Sequence, residues 1–147
     1  MQDTEIKLEN PLEQRLGYQM RRASGLMMVN LAERLAGIAL RPTEAAILVL
    51  LRANPGITQT KIGGALAIQR ANMVPLIAGL ITRKLIARQA ADGRSHALSL
   101  TPTGRTLAVK AEALMLEHEK YFFGELSGAE REHLLQQLRG VRAVPSD

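Results

Sequence analysis

The chain contains no cysteine and no tryptophan. Without thiols there can be no disulfide, no thiolate catalysis, no thiol-based redox sensing and no Cys-ligated zinc. The three histidines, His96, His118 and His133, form neither an HExxH motif nor a pair four residues apart. A metal site would have to be assembled from scattered ligands, so no metal and no cofactor is expected. No apolar run is long enough to span a bilayer. The opening MQDTEIKLEN is polar and acidic, unlike a secretory or transit segment. A cytoplasmic protein with no membrane partner is the expectation. No nucleophile elbow, phosphate-binding loop or metal set is present, which argues against an enzyme.

What is present is Leu, Ala and a segregated charge. Leu and Ala favour helices, and 147 residues suffice for a substantial core. The net charge is +5, but residues 1–40 carry none of it, residues 41–105 carry +7 and residues 106–147 carry −2. A basic centre between neutral or acidic ends points to a polyanion-binding lobe, or to a merely solvated basic face.

Hydrophobic spacing predicts a helix over residues 11–35, ended by Gly37. In "RPTEAAILVLLRANPG", Thr43 and Glu44 suit a helix start and Asn54-Pro55-Gly56 a stop near Ala53. Thr58 caps a short helix ending near Ala67, in which Gly63 and Gly64 would let a neighbouring helix approach closely. "QRANMVPLIAGL" patterns as another helix, ending near Lys84. Ile86 and Arg88 then alternate, Asp92-Gly93 makes a turn, and alternation resumes through Leu100, which is a β-hairpin. Thr101 caps, and Pro102 opens, a long amphipathic helix. Ser127 caps the last one. The expected fold is mainly α with a small β-hairpin wing, which is the winged helix-turn-helix plan. There the second helix of the pair enters the major groove of DNA. The terminal helices fit a second lobe, and their extensive apolar faces favour a symmetric homodimer.

The stretch from Leu40 to Leu107 resembles the MarR family of bacterial transcriptional regulators, and "LGYQMRRAS" extends the likeness more loosely. The most specific element is Asp92-Gly93-Arg94-Ser95 followed by "LSLTPTGR", similar to the family's wing turn and Leu-Thr-x-x-Gly helix start. The resemblance implies one MarR-type domain over residues 1–147. Residues 11–37 and 101–143 would form a helical dimerisation lobe, and residues 38–100 the winged helix-turn-helix DNA-binding lobe. It implies a homodimer on a pseudo-palindromic double-stranded DNA operator, most simply a repressor. A small-molecule effector, an aromatic or phenolic acid or its CoA thioester, would release it. The alternative is a regulator or architectural module of the same fold without ligand control. Two positions depart from the family pattern. Lys84 stands where Gly is usual after the recognition helix, suggesting a differently shaped helix end. Pro75 stands where most members carry an unconstrained residue.

For DNA, Gln69 and Asn72 suit adenine and Arg70 suits guanine in the major groove. The alternative for Gln69 and Asn72 is helix capping. Met73 would touch a thymine methyl or lie inward. The family likeness places Arg94 in the minor groove, where narrow A·T-rich stretches concentrate negative potential, with Asp92 orienting its guanidinium. Ser95, His96, Thr58, Thr60, Lys61 and Arg88 are candidate phosphate contacts. For an effector, the candidates are Tyr18, Arg21, Arg22, Ser24 and Met28. Tyr can stack on a phenol and Arg can clamp a carboxylate or phosphate. The alternative is that Arg21 and Arg22 pair with Glu13 and Glu33. Pro75 leaves two possibilities. With Gln69 as cap it removes a bond to the Ala71 carbonyl; with Asn72 as cap it sits in the first turn and costs nothing. The expectation is a helix bent or loosened near Ala71.

Overall fold

The first helical pattern divides in two. The computed structural model describes residues 8–91 and 95–141, apart from the side chains of 90, 91, 95 and 96. Asn10 accepts from the Leu12 amide and caps a short 3-10 helix, Pro11–Gln14. Arg15 is extended, and α1 then runs Leu16–Ala36. One continuous helix from Pro11 was expected. Instead Asn10 turns the first segment back, and its amide donates to the Tyr18 hydroxyl at 3.3 Å.

Five helices and a hairpin follow: α2 (Pro42–Ala53), α3 (Gln59–Ala65), α4 (Arg70–Thr82), β1 (Ile86–Ala91), β2 (Ser95–Leu100), α5 (Pro102–Phe123) and α6 (Gly128–Gly140). The strands pair antiparallel, Ile86 opposite Leu100 and Arg88 opposite Leu98. Among the described residues, no single helix is long and apolar enough to cross a membrane.

α2 is the core helix, with Ala45, Ile47, Leu48 and Leu51 all buried. Leu35, Ile62, Met73, Ile77, Leu80, Ile86, Leu98, Ala108 and Ala111 close around it from every other main element except α6. Each fully buried Leu, Ile or Met contributes about 1.5–3 kcal/mol relative to exposure.

Three helices end alike, on non-glycine residues in the left-handed region. They are Ala39 (φ 55), Ala67 (φ 52) and Lys84 (φ 57). At each, the next residue's amide reaches back to a carbonyl five positions earlier: Leu40 to Leu35 at 3.1 Å, Ile68 to Gly63 at 2.9 Å and Leu85 to Leu80 at 3.0 Å. This is the Schellman closure. Gly37, expected to end α1, stays right-handed (φ −61), and the reversal falls at Ala39. Lys84 does not change the shape of the α4 end; it adopts the geometry usual for Gly, at the cost of crowding its own Cβ.

Thr101 locks the hairpin to α5. Its hydroxyl donates to the Lys84 carbonyl at 2.7 Å and accepts from the Gly104 amide at 3.0 Å, while its own amide donates to the Leu85 carbonyl at 3.1 Å. A Cβ on Gly104 would fall 1.8 Å from that Leu85 carbonyl oxygen. The Thr-x-x-Gly spacing is therefore a steric requirement for α5 to start against β1.

Candidate nucleic-acid interface

α3 and α4 turn by 117° over a short break, within the range of helix-turn-helix pairs. Thr58 caps α3, accepting from the Lys61 amide at 3.4 Å. A Cβ on Gly63 would lie 3.2 Å from Met73 Cγ, so Gly63 is what lets α4 settle against α3. Gly64, expected to share this role, has no heavy atom within 4 Å of the corresponding point.

α4 has two faces. Met73, Ile77 and Leu80 are buried. Arg70, Ala71, Asn72, Val74, Pro75, Ala78 and Gly79 are exposed. Met73 is only 1% exposed and belongs to the core, which corrects its candidacy as a DNA contact. Gln69 is the N-cap by backbone position, but its side chain makes no capping bond. The Gln69 amide and the exposed Arg70 and Asn72 side chains therefore project from the start of α4. The helix begins before Asn72, so Pro75 lies in its interior. Pro75 has no N–H to offer the Ala71 carbonyl, and both residues are on the exposed side.

α3, the first turn of α4 and the hairpin enclose a surface cavity of about 490 Å3. Thr58, Thr60, Arg70 and Arg88 all line it. Polar and basic candidates from three elements thus converge on one concavity, whose lining also includes the buried Met73. Lys61 is exposed on α3, outside that lining. The hairpin is pinned behind the cavity by the α2–α3 loop. Gly56, at φ 85, donates to the Leu98 carbonyl at 3.0 Å, and the Leu98 amide donates to the Ile57 carbonyl at 3.0 Å. Asp92, Gly93 and Arg94 lie outside the described residues, as do the side chains of Ser95 and His96.

Some of the basic side chains of residues 41–105 are paired within the chain and others are not. Arg52 pairs with Glu112, and Arg41 and Arg83 pair with Glu44. Among the described residues Lys61, Arg70, Lys84 and Arg88 have no ion-pair partner. Burial would raise the Glu44 pKa; the Arg41 amide and guanidinium, with Arg83, more than offset this and hold it below the ordinary value. The pattern that suggested a basic lobe did not reveal this buried acid, because Glu44 reads as an ordinary helix-start residue until the chain folds.

The effector candidates are only partly gathered. The guanidinium carbons of Arg21 and Arg22 sit 6.0 and 5.7 Å from the Tyr18 ring centroid. The hydrogen bond from Asn10 is the largest influence lowering the Tyr18 pKa, followed by opposing burial and then the Arg22 charge. Arg21 and Arg22 stack on Tyr18, and neither makes an ion pair with Glu13 or Glu33. Ser24 and Met28 are exposed further along α1. None of the five lines the cavity above.

A helix-turn-helix with a two-stranded wing, set between long terminal helices, defines a winged helix-turn-helix transcriptional regulator. Residues 40–96 match the model of the MarR family. A transcriptional repressor, CouR, bound to a 23-mer DNA duplex is 34% identical, superposes with a TM-score of 0.82, and is covered over 96% of its chain by 90% of this one. CouR bound to p-coumaroyl-CoA is 32% identical, with a TM-score of 0.79 and the same coverages. A putative transcriptional regulatory protein for the hcr operon of Thauera aromatica is 26% identical over 135 residues, 90% of this chain and 81% of that protein. The chain belongs to the MarR family of transcriptional regulators.

Proposed function

We propose that this regulator is a repressor that binds a pseudo-palindromic operator as a homodimer and is released by an aromatic acid or its CoA thioester. The observation that carries the reading is the convergence of Thr58, Thr60, Arg70 and Arg88 on one cavity beside the exposed start of α4, in a chain similar to a repressor solved with DNA and with p-coumaroyl-CoA. Residues 38–100 serve as the DNA-binding lobe. Gln69, Arg70 and Asn72 read bases, Thr58, Thr60, Lys61 and Arg88 hold phosphates, and Arg94 enters the minor groove beside Asp92, Ser95 and His96.

Residues 11–37 and 101–143 serve as the dimerisation lobe. Leu16 (83% exposed), Leu116 (66%), Tyr121 (68%) and Leu138 (45%) are left uncovered by the single chain, and a second copy would bury them. Tyr18, Arg21 and Arg22 offer a stacked aromatic and two guanidinia to an aromatic or phosphate-bearing effector, with Ser24 and Met28 alongside.

The test is fluorescence anisotropy with a duplex taken from immediately upstream of this chain's own coding sequence. The additives are p-coumaroyl-CoA, p-coumarate and free CoA. At least one should weaken DNA binding by about 5- to 150-fold, the usual range of allosteric coupling. An affinity unchanged by all of them would favour a regulator of the same fold without control by these compounds.

A further inference from the structure

Arg83 is the C-cap of α4, at the end of the helix away from Gln69 and Arg70. Its guanidinium is partly exposed yet turns back onto the protein. Nη2 donates to the Ala39 carbonyl at 2.6 Å, and Nη1 donates to Glu44 Oε2 at 3.4 Å. Ala39 is the left-handed residue at which the chain turns from α1 into α2. Glu44 is buried, and its carboxylate also accepts from the Arg41 amide at 2.9 Å and from Arg41 Nη2 at 3.1 Å. One fork from the recognition helix thus grips both the α1–α2 corner and the start of the core helix.

Met73, Ile77 and Leu80 anchor the middle of α4 in the core shared with α2. α4 packs chiefly on α3 and β1. Beside the fork lies an open recess of about 420 Å3 bordered by Ala32, Ala36 and Pro42. At its C-terminal end α4 adds a polar tie to the corner that leads to α1, and two separate nitrogens in the fixed geometry of a guanidinium reach the two acceptors, which the single nitrogen of an ammonium does not reproduce.

We propose that Arg83 and Glu44 are positioning residues for operator binding. Together they set the angle at which α4 is presented relative to α1, and Glu44 does so without touching DNA. The inference rests on the DNA-binding reading above.

Glu44→Gln is the informative variant, because the two explanations predict opposite signs. Gln at this position can still accept from the Arg41 amide, so the start of α2 is kept, but its neutral amide gives up the charge that holds Arg83 at the same oxygen and turns an NH2 toward Arg41 Nη2. Removing a negative charge from a basic DNA-binding lobe should, by electrostatics alone, tighten binding. Loss of positioning should weaken operator binding by about tenfold while a shuffled duplex of equal length binds nearly as before. Arg83→Lys keeps the charge but not the fork, and should lose the same operator preference. Arg83→Gln should leave the salt dependence of binding unchanged, whereas loss of a phosphate contact would lower the slope by about one. The double variant Glu44→Gln/Arg83→Gln should bind no worse than the weaker single variant.

Equal or tighter operator binding by Glu44→Gln overturns the proposal. So does full operator preference in Arg83→Lys, which holds the test should the Glu44 variant fail to fold. A wild-type chain that binds neither duplex overturns the DNA-binding reading itself, and the inference with it.

Discussion

His118 Nδ1 lies 3.0 Å from Asn30 Oδ1 across the α1–α5 contact, and the same oxygen accepts from Arg34 Nε at 2.8 Å. An acceptor already shared with a guanidinium calls for a proton on His118 Nδ1, which leaves Nε2 as the nitrogen that gains or loses one. The ring packs edge-on to Phe122 at 5.1 Å. Burial, opposed by Glu119 and reinforced by Arg34, lowers the His118 pKa below 6.5. The unfolded chain then binds more protons than the native state just below 6.5, so stability should fall as pH drops through that window. Thermal melts from about pH 7.5 to about 5.5 should show this slope. His118→Asn, which keeps a donor near Nδ1, should flatten it. An identical slope in both proteins would show that other groups carry the pH dependence. Glu44 acts in a separate, more acidic window. Its pKa is lowered from 4.5, so its contribution is complete above that value and is lost only as pH falls through the depressed one.

Lys84→Gly should stabilise the fold. A left-handed non-glycine residue costs roughly 1–2 kcal/mol in backbone crowding, partly offset by the greater freedom of Gly in the unfolded chain. A gain of about 0.5–1 kcal/mol is expected in urea denaturation. Lys84→Ala removes the same charge but keeps the Cβ, and should show no such gain.

Gly104→Ala should do the reverse. Its methyl would overlap the Leu85 carbonyl oxygen, forcing α5 away from the end of β1. Overpacking of this kind costs about 1–3 kcal/mol or more. The urea midpoint should fall, and a variant as stable as the wild type would contradict the close approach.

Arg70→Ala and Arg88→Ala should weaken DNA binding in different ways. If Arg70 reads a base, its loss costs about 1–3 kcal/mol and relaxes preference at one base pair. If Arg88 holds a phosphate, its loss weakens all duplexes evenly and lowers the salt slope by about one. Competition against single-base operator variants separates the two.

Pro75→Ala should raise stability, since it returns a donor to the Ala71 carbonyl in a continuous helix. If the proline loosens the reading end, the same change should also alter operator preference at the bases nearest Gln69 to Asn72. Higher stability with unchanged preference would leave Pro75 no part in reading.

Local rules made most elements legible. Capping at Thr58, Thr101 and Ser127, the stop at Asn54-Pro55-Gly56 and the alternation from Ile86 to Leu100 depend on neighbours within a few residues, and each appears where expected. The exceptions are equally physical. The break at Arg15 follows Asn10, whose side chain both caps the first turn and reaches Tyr18. Gly37 was the conformationally permissive choice for the reversal, but the closing bond to Leu35 forms from Leu40, which puts Ala39 in the strained position.

By itself, the sequence determined the helix and hairpin order, the basic centre and the chemistry available at Gln69, Arg70 and Asn72, because periodicity, capping and charge are properties of short segments. Only the tertiary structure decided that Met73 turns inward onto Gly63, that Arg70 and Arg88 share one cavity, and that Arg83 spends its guanidinium on Ala39 and Glu44. Those outcomes depend on where residues tens of positions apart come to rest. No local pattern encodes that, because the same exposed arginine is stable in solvent until the packed core brings an acceptor within reach.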